Sequence, residues 1–204
     1  GKLLFWLAMH DSISRVIPSI QSVDGTMLTV ATDVANAFAD YYRSLYATRE
    51  RPLREMASPL IADLPLPRLP SLDRATLDLP ISLEEVEQAL RELNAGKTPG
   101  PDVFPVEFYR CTRELMLQPM LDMFLEASER GCFPSELDFA TIVLLHKAGR
   151  PSVDCSSYRP ISLINSEVKL YAKVLINWLL PLLSCLIHPD QCGFMPRRST
   201  CHCI

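Results

Sequence analysis

The sequence predicts a mostly helical α+β fold that contains one β-hairpin. Three stretches, 33–46, 82–95 and 105–131, place apolar residues at the three- and four-residue spacing of amphipathic helices. Two β-prone runs, 142–145 and 158–164, flank a loop with glycine, proline and serine, which is typical of a hairpin with a long connection. Hydrophobic content of 48% and charged content of 22% are ordinary for a globular chain with a core.

Residues 1–51 are predicted to form an N-terminal helical extension. Apolar residues recur at helical spacing between Leu3 and Ile20, and Asp24-Gly25 marks a turn. In the stretch 33–46 one helical face is apolar and aromatic, with Val34, Phe38, Tyr41, Tyr42 and Leu45. Residues 52–80 then hold six prolines and are predicted to be a linker or an irregular packing segment.

Residues 81–204 make up the third predicted segment, which opens with a well-signalled helix. Ser82 and Glu85 have the spacing of a capping box, in which each side chain accepts a hydrogen bond from the other residue's backbone N–H. A cluster of helix-ending residues follows this helix, namely Asn94, Gly96 and Pro99.

Two further helices are predicted on either side of the hairpin. One should span 105–131, with a kink at Pro119, because proline lacks the backbone N–H that an interior helical position uses. The other should begin after a cap at Asn165 or Ser166 and continue to about Leu180.

Lys147 and Arg159 lie one on each arm of the predicted hairpin, where strand and loop meet. Arginine offers a planar fork of donors and lysine a compact point charge, so the two together suit a polyanion such as a triphosphate. The alternative is that both are solvated charges beside a surface loop, where charged side chains usually lie. Spacing alone leaves both interpretations open.

Charge and composition restrict the classes of partner. The net charge of −4 divides into +4 from residue 143 onward and −8 before it, so a polyanion would meet the C-terminal third. No apolar run approaches the roughly 18 residues needed to cross a membrane, so no membrane partner is expected. The seven cysteines form no C-x-x-C pair and match no common zinc pattern, which favours free thiols inside the cell.

Five sequence blocks occur in the order and spacing of one protein family. They are LNAGKTPGPD, PVEFYR, ATIVLLHKAG, SSYRPISLIN followed by VKLYAKVL, and IHPDQCGFMPRRST. Each block alone is a weak signal, but the ordered set makes the chain resemble the front part of the reverse transcriptase of a LINE-type non-LTR retrotransposon. FADYYRSLY and PISLEEVEQAL extend the resemblance over nearly the whole chain.

The resemblance implies a right-hand polymerase, of which this chain would supply an N-terminal extension, the fingers and the start of a truncated palm. Such enzymes copy RNA into DNA from a DNA primer and deoxynucleotide triphosphates, using two Mg²⁺ ions held by palm aspartates. Lys147 and Arg159 match the cations that grip the triphosphate. The block that resembles the template-contacting segment contains Gln191, Gly193, Phe194, Arg197 and Arg198. A nuclear or cytoplasmic location is expected.

The sequence departs from the family pattern at several points. The blocks that carry the family's aspartates, including its F-x-D-D turn, do not occur in these 204 residues, so the chain alone is expected to bind nucleotide and template without catalysis. The Phe38–Tyr41 segment is no substitute, because it falls within a helical pattern. Val103 stands where the family usually has glycine, and valine is costly there if the turn needs a positive φ. Trp178 replaces a usual arginine.

A second hypothesis belongs to a different class of protein. The chain could be a non-enzymatic helical binding or scaffold protein that uses the stretches 33–46, 82–95 and 105–130 as partner surfaces. The acidic N-terminal two thirds supports it. This hypothesis predicts no affinity for nucleic acid, whereas a polymerase fragment should bind nucleic acid with a strong dependence on salt.

Overall fold

The structure is a computed structural model. The residues that it describes are 16–22, 24–47, 67–188, 190–193, 195 and 198. They fall into two compact units, one with the residues before 48 and residues 144–161, the other with 67–143 and those after 161. The stretch 1–15 and most of the predicted linker lie outside the described residues. The boundaries proposed from sequence at residues 51 and 80 stay predictions.

The first unit begins with two short strands, β1 (Ile20–Gln21) and β2 (Met27–Leu28), which pair antiparallel. The turn predicted at Asp24-Gly25 is confirmed, because Gly25 has a φ of 89° that suits glycine. Ile20, assigned by its spacing to a helical pattern, is instead a fully buried strand residue. The strand conformation of Ile20 depends on its pairing with β2, and apolar spacing over a few residues does not reveal such a pairing.

Helix α1 (Ala31–Tyr46) contributes Val34 and Phe38 to the core of this unit. The Phe38 ring meets the Tyr158 ring edge-on, with 5.1 Å between ring centroids. Asp40 lies on an exposed helical surface and pairs with Arg43, so the Phe38–Tyr41 segment is helical as predicted. The buried core of the unit consists of Ile20, Val34, Phe38 and Tyr158.

The second unit opens with two helices, α2 (Ser71–Leu77) and α3 (Leu83–Glu92). Helix α2 lies in the proline-rich stretch, which is therefore not irregular throughout. The predicted capping box is confirmed at α3: the Glu85 N–H donates to Ser82 Oγ at 3.3 Å, and the Ser82 N–H donates to Glu85 Oε2 at 2.9 Å.

The predicted helix 105–131 consists of two helices, α4 (Val106–Cys111) and α5 (Arg113–Arg130). Thr112 separates them with φ −104° and ψ 15°, and its hydroxyl donates to the carbonyl of the residue four positions earlier at 2.9 Å, a contact that bends helices. Helix α5 continues through Pro119 without ending. It stops as predicted at Gly131, whose φ of 71° is left-handed.

The predicted hairpin is formed by strands β3 (Thr141–His146) and β4 (Tyr158–Leu163). Helix α6 (Ser166–Leu186) follows. The predicted end near Leu180 is wrong, because α6 runs through Pro181. Since Pro181 is exposed, water can satisfy the carbonyl that its missing N–H leaves free, which reduces the cost of continuing the helix.

Helices α3 to α6 enclose the core of the second unit. Phe124 is its largest fully buried side chain, and Leu170 and Val174 of α6 are each 1% exposed. By length and mean hydropathy (1.3), α6 could also cross a membrane, which the sequence reading did not anticipate. It buries Leu170 and Val174 against the other helices, while Ile176 and Leu179 remain exposed.

Candidate functional site

The loop between β3 and β4 is held in shape by backbone hydrogen bonds. The Lys147 N–H donates to the Ser157 carbonyl at 2.8 Å, and the Gln21 N–H of β1 donates to the Val153 carbonyl at 2.8 Å. The Arg150 N–H donates to the Lys147 carbonyl at 3.2 Å and closes a four-residue turn. The loop therefore has a defined backbone although many of its residues are exposed.

Tyr158, the first residue of β4, anchors the hairpin from its buried side. Its ring contacts those of Phe38 and His146, with centroid distances of 5.1 and 5.2 Å. Its hydroxyl donates to the Ser152 carbonyl at 2.7 Å, and its own carbonyl accepts from the Tyr42 hydroxyl at 3.2 Å. Burial raises the pKa of the Tyr158 phenol, so the group remains a neutral donor.

Lys147 directly follows β3, and Arg159 is the second residue of β4. The Lys147 N–H donates to the carbonyl of Ser157, two positions before Arg159, so both cations lie at the loop end of the hairpin. The Lys147 ammonium donates to the Ser156 carbonyl at 2.7 Å, which occupies one of its three N–H groups. Arg159 is exposed and makes no hydrogen bond or ion pair with the residues that the structure describes, so its fork is available to a ligand.

Sequence reasoning missed a third cation at this end of the hairpin. Arg150 is exposed and ends the turn that Lys147 begins, which brings their Cα atoms within about 7 Å. The Lys-x-Gly-Arg order could have revealed it, because glycine at the third place of a turn favours a positive φ, and Gly149 has a φ of 75°. Asp154 is the one acidic residue in the sequence between Lys147 and Arg159, so positive charge dominates here.

The predicted template-binding segment is described only at Gln191, Gly193 and Arg198; Phe194 and Arg197 lie outside the described residues. The Arg198 guanidinium donates to the carbonyls of His188 (2.7 Å) and Gln191 (3.1 Å). The Gln191 side chain donates to the Gly193 carbonyl at 3.1 Å. Arg198 thus holds the turn after α6 together, and a template contact by these residues stays a prediction.

The loop 96–103, which carries the GKTPGPDV sequence, is docked on the start of α6. Asn165 occupies the predicted N-cap position, but its side-chain oxygen accepts from the Asp102 N–H at 3.4 Å and does not cap the helix. The Ser166 hydroxyl donates to the Phe104 carbonyl at 2.7 Å. Asn165 and Ser166 are almost completely buried, so these hydrogen bonds connect the loop firmly to the helix.

Gly100 and Val103 show how closely this loop fits. A β-carbon at Gly100 would overlap the backbone and side chain of Asn165. Val103 has a φ of 65°, which confirms that the turn requires the left-handed conformation at this position. The valine is therefore strained, as the sequence comparison with the family pattern suggested.

Side chains that could ligate a metal are dispersed. Among the residues that the structure describes, no group of three or more His, Cys, Asp or Glu side chains is placed to hold a metal ion. Four cysteines carry free thiols, namely Cys111, Cys132, Cys155 and Cys185. Cys192 is disulfide-bonded, so the prediction of free thiols is wrong there; spacing could not reveal this, because cysteine pairing depends on the fold.

Comparison with known proteins gives relatives but no match to a protein-family model. The chain is 29% identical over 199 residues to the transposon TX1 uncharacterized 149 kDa protein of Xenopus laevis, covering 98% of this chain and 15% of the relative. It is 30% identical over 202 residues to the probable RNA-directed DNA polymerase from transposon BS of Drosophila melanogaster, covering 91% of this chain and 20% of the relative.

A shorter match has higher identity. The chain is 34% identical over 107 residues to the RNA-directed DNA polymerase from mobile element jockey of Drosophila melanogaster, covering 51% of this chain and 12% of the relative. The chain thus spans between 12 and 20% of the length of these three relatives. It belongs to the family of non-LTR retrotransposon reverse transcriptases, of which it matches one segment.

Proposed function

We propose that this chain provides the nucleotide-gripping and template-facing part of an RNA-directed DNA polymerase. The observation that carries the proposal is that Lys147 and Arg159 lie at the loop ends of β3 and β4, in a hairpin that Tyr158 anchors. Two relatives bear the name RNA-directed DNA polymerase, which supports the same activity for the longer protein to which such a segment would belong.

The chemistry of these cations suits the triphosphate of an incoming deoxynucleotide. The Arg159 guanidinium can bind two phosphate oxygens at once, and Lys147 adds a point charge. Arg150 would add a third positive charge beside Lys147. During phosphoryl transfer, negative charge develops on the departing pyrophosphate, and cations that are already in place stabilise it without reorganisation.

The proposal assigns the metal ions to another part of the polyprotein. Enzymes of this class use two Mg²⁺ ions, which supply charge stabilisation and activate the primer hydroxyl. The described residues do not fit a resident Mg²⁺ site, and the sequence has no Phe-x-Asp-Asp block. This chain's own residues would therefore bind and orient the nucleotide, and the chain by itself would not incorporate it.

The RNA template and DNA primer would be bound through phosphate contacts. The +4 charge from residue 143 onward supports this part of the proposal, with Gln191, Gly193, Phe194, Arg197 and Arg198 as the expected contacts. Because neutralising phosphates releases counterions, affinity for an RNA–DNA duplex should fall steeply with rising salt. An affinity that hardly changes between low and physiological salt would contradict this electrostatic account.

The test compares binding of a deoxynucleotide triphosphate and the corresponding monophosphate to the full chain by calorimetric titration. Lys147→Ala and Arg159→Ala should each weaken triphosphate binding by about 10- to 100-fold, since a charge-assisted hydrogen bond contributes about 1.5–3 kcal/mol. Arg43→Ala is the matched control, because it removes an exposed cation of the same unit that pairs with Asp40. It should leave affinity unchanged.

Two results would count against the proposal. Equal losses in all three variants would mean that net charge, and not the hairpin, determines binding. Failure of the wild-type chain to bind both triphosphate and duplex would favour the helical scaffold hypothesis.

A further inference from the structure

Two carboxyl groups face each other where the loop 96–103 meets α6. Asp102 belongs to the loop, and Glu167 to the first turn of the helix. The Phe104 N–H donates to Asp102 Oδ1 at 3.1 Å, and the Tyr109 hydroxyl donates to Glu167 Oε1. The other two oxygens, Asp102 Oδ2 and Glu167 Oε2, are enclosed and have no hydrogen-bond partner among the described residues.

Two ionised carboxylates in this arrangement would be doubly unfavourable. Each would keep an enclosed oxygen without a donor, and the two negative charges would repel each other. One proton removes both problems, because a protonated carboxyl donates an O–H···O hydrogen bond to its charged neighbour and gives both orphaned oxygens a partner. We propose that Asp102 and Glu167 bind one proton between them, and that this shared proton fastens the loop to α6.

The surroundings of the pair agree with this protonation state. Burial raises the pKa of Asp102, and the neighbouring Glu167 carboxyl adds to the rise; the Phe104 N–H opposes it. Burial also raises the pKa of the Tyr109 phenol, and its hydrogen bond to Glu167 raises that pKa further. Tyr109 therefore keeps its proton and remains a hydrogen-bond donor. No donor other than the shared proton reaches the two orphaned oxygens from the described residues.

Lys169 is a cation that acts on Asp102, and it does not replace the proton. Its ammonium donates to the Thr98 carbonyl at 2.8 Å, and burial lowers its pKa although Asp102 raises it. Its attraction is the smallest of the effects on Asp102. The remaining charged groups on the elements packed here are engaged elsewhere or exposed, namely Glu107 (with the Gly96 N–H), Arg110 (with the Leu90 carbonyl), Lys173 (with Glu92) and Lys97.

The shared proton makes the attachment of the loop dependent on pH. The pKa of Asp102 is higher in the folded chain than in the unfolded chain. The shared proton therefore contributes its full stability below the ordinary aspartate pKa, and this stability is lost as pH rises through the raised pKa of the folded chain. The loop should therefore loosen from α6 with rising pH. This inference does not depend on nucleotide or template binding, so it can fail or hold independently of the proposed function.

Glu167→Gln tests the inference in the full chain. The amide N–H of glutamine can donate to Asp102 Oδ2 at any pH, while its oxygen still accepts from Tyr109. Thermal unfolding is measured from about pH 3.5, just below the ordinary aspartate pKa, to about pH 8. The melting temperature of the wild type should fall by about 2–4 °C over the part of this range in which the pair loses its proton. Glu167→Gln should remove that fall.

A control and a second variant make the result decisive. Glu114→Gln makes the same change in the first turn of α5, where the side chain is exposed, and should keep the wild-type profile. Asp102→Asn offers a permanent donor from the other side of the pair, so it decides the matter if Glu167→Gln fails to fold. Amide exchange at Asp102 and Phe104 should accelerate with pH in the wild type beyond the intrinsic chemical rate. Parallel profiles for the wild type and both amide variants would overturn the proposal.

Discussion

Replacing Val103 with asparagine should stabilise the protein. Val103 has a φ of 65°, and a β-branched residue held there costs about 1–3 kcal/mol. Asparagine tolerates the left-handed conformation far better. The change also loses some burial, but the side chain is 62% exposed, so that loss is limited to about 0.5–1 kcal/mol. The expected net gain is about 1 kcal/mol.

Urea unfolding monitored by circular dichroism measures this gain, and thermal unfolding should show a rise of about 2–4 °C in melting temperature for a chain of this size. Val16→Asn is the control, because Val16 is comparably exposed and has no positive φ. It should change the free energy of unfolding by less than about 0.5 kcal/mol. If Val103→Asn destabilised the chain as much as or more than Val16→Asn, the reasoning from backbone strain would be refuted.

Two further predictions concern a tight contact and a depressed pKa. Gly100→Ala should lower the free energy of unfolding by more than about 2 kcal/mol, because the added β-carbon would meet backbone atoms. Gly96→Ala, at a φ of 71° and with no neighbour within 4 Å, should lower it by about 1 kcal/mol. Urea unfolding measures both, and equal losses would contradict the steric argument. Hydrogen bonds from Gln88 and then Lys173 lower the pKa of Glu92 to about 2. Lys173→Met should raise the pKa of Glu92 in a carboxyl NMR titration, and an unchanged pKa would contradict the pairing. In the wild type, the stability that the Glu92–Lys173 pair contributes should be lost only as pH falls below the ordinary glutamate range.

Features that depend on a few neighbouring residues were predictable from the sequence. The capping box at Ser82 and Glu85, the turn at Gly25 and the hairpin all follow from local backbone chemistry. The break at Thr112 was missed because apolar spacing continues across it, and periodicity does not register a single side-chain-to-backbone hydrogen bond.

Contacts between distant parts of the chain were not predictable. The sequence placed Lys147 and Arg159 on the hairpin, but it could not show that Tyr158 packs on Phe38 of α1. The docking of loop 96–103 on α6 is equally long-range. Trp178, noted only as a lost arginine, donates to Glu85 Oε1 at 2.6 Å. Such pairs depend on tertiary packing, which local propensity does not encode.

Two local conflicts lie in the same loop: the strained Val103 and the unpaired oxygen of Asp102. Strain is retained either because a function uses it or because the remaining structure can tolerate it. Val103→Gly separates the two explanations, since glycine removes the strain at an entropic cost of about 0.5–1 kcal/mol and restores the residue usual in the family pattern. If triphosphate and duplex binding stay unchanged while stability holds or rises, the valine is a tolerated departure. If binding weakens in a stable Val103→Gly chain, the strained conformation contributes to the site.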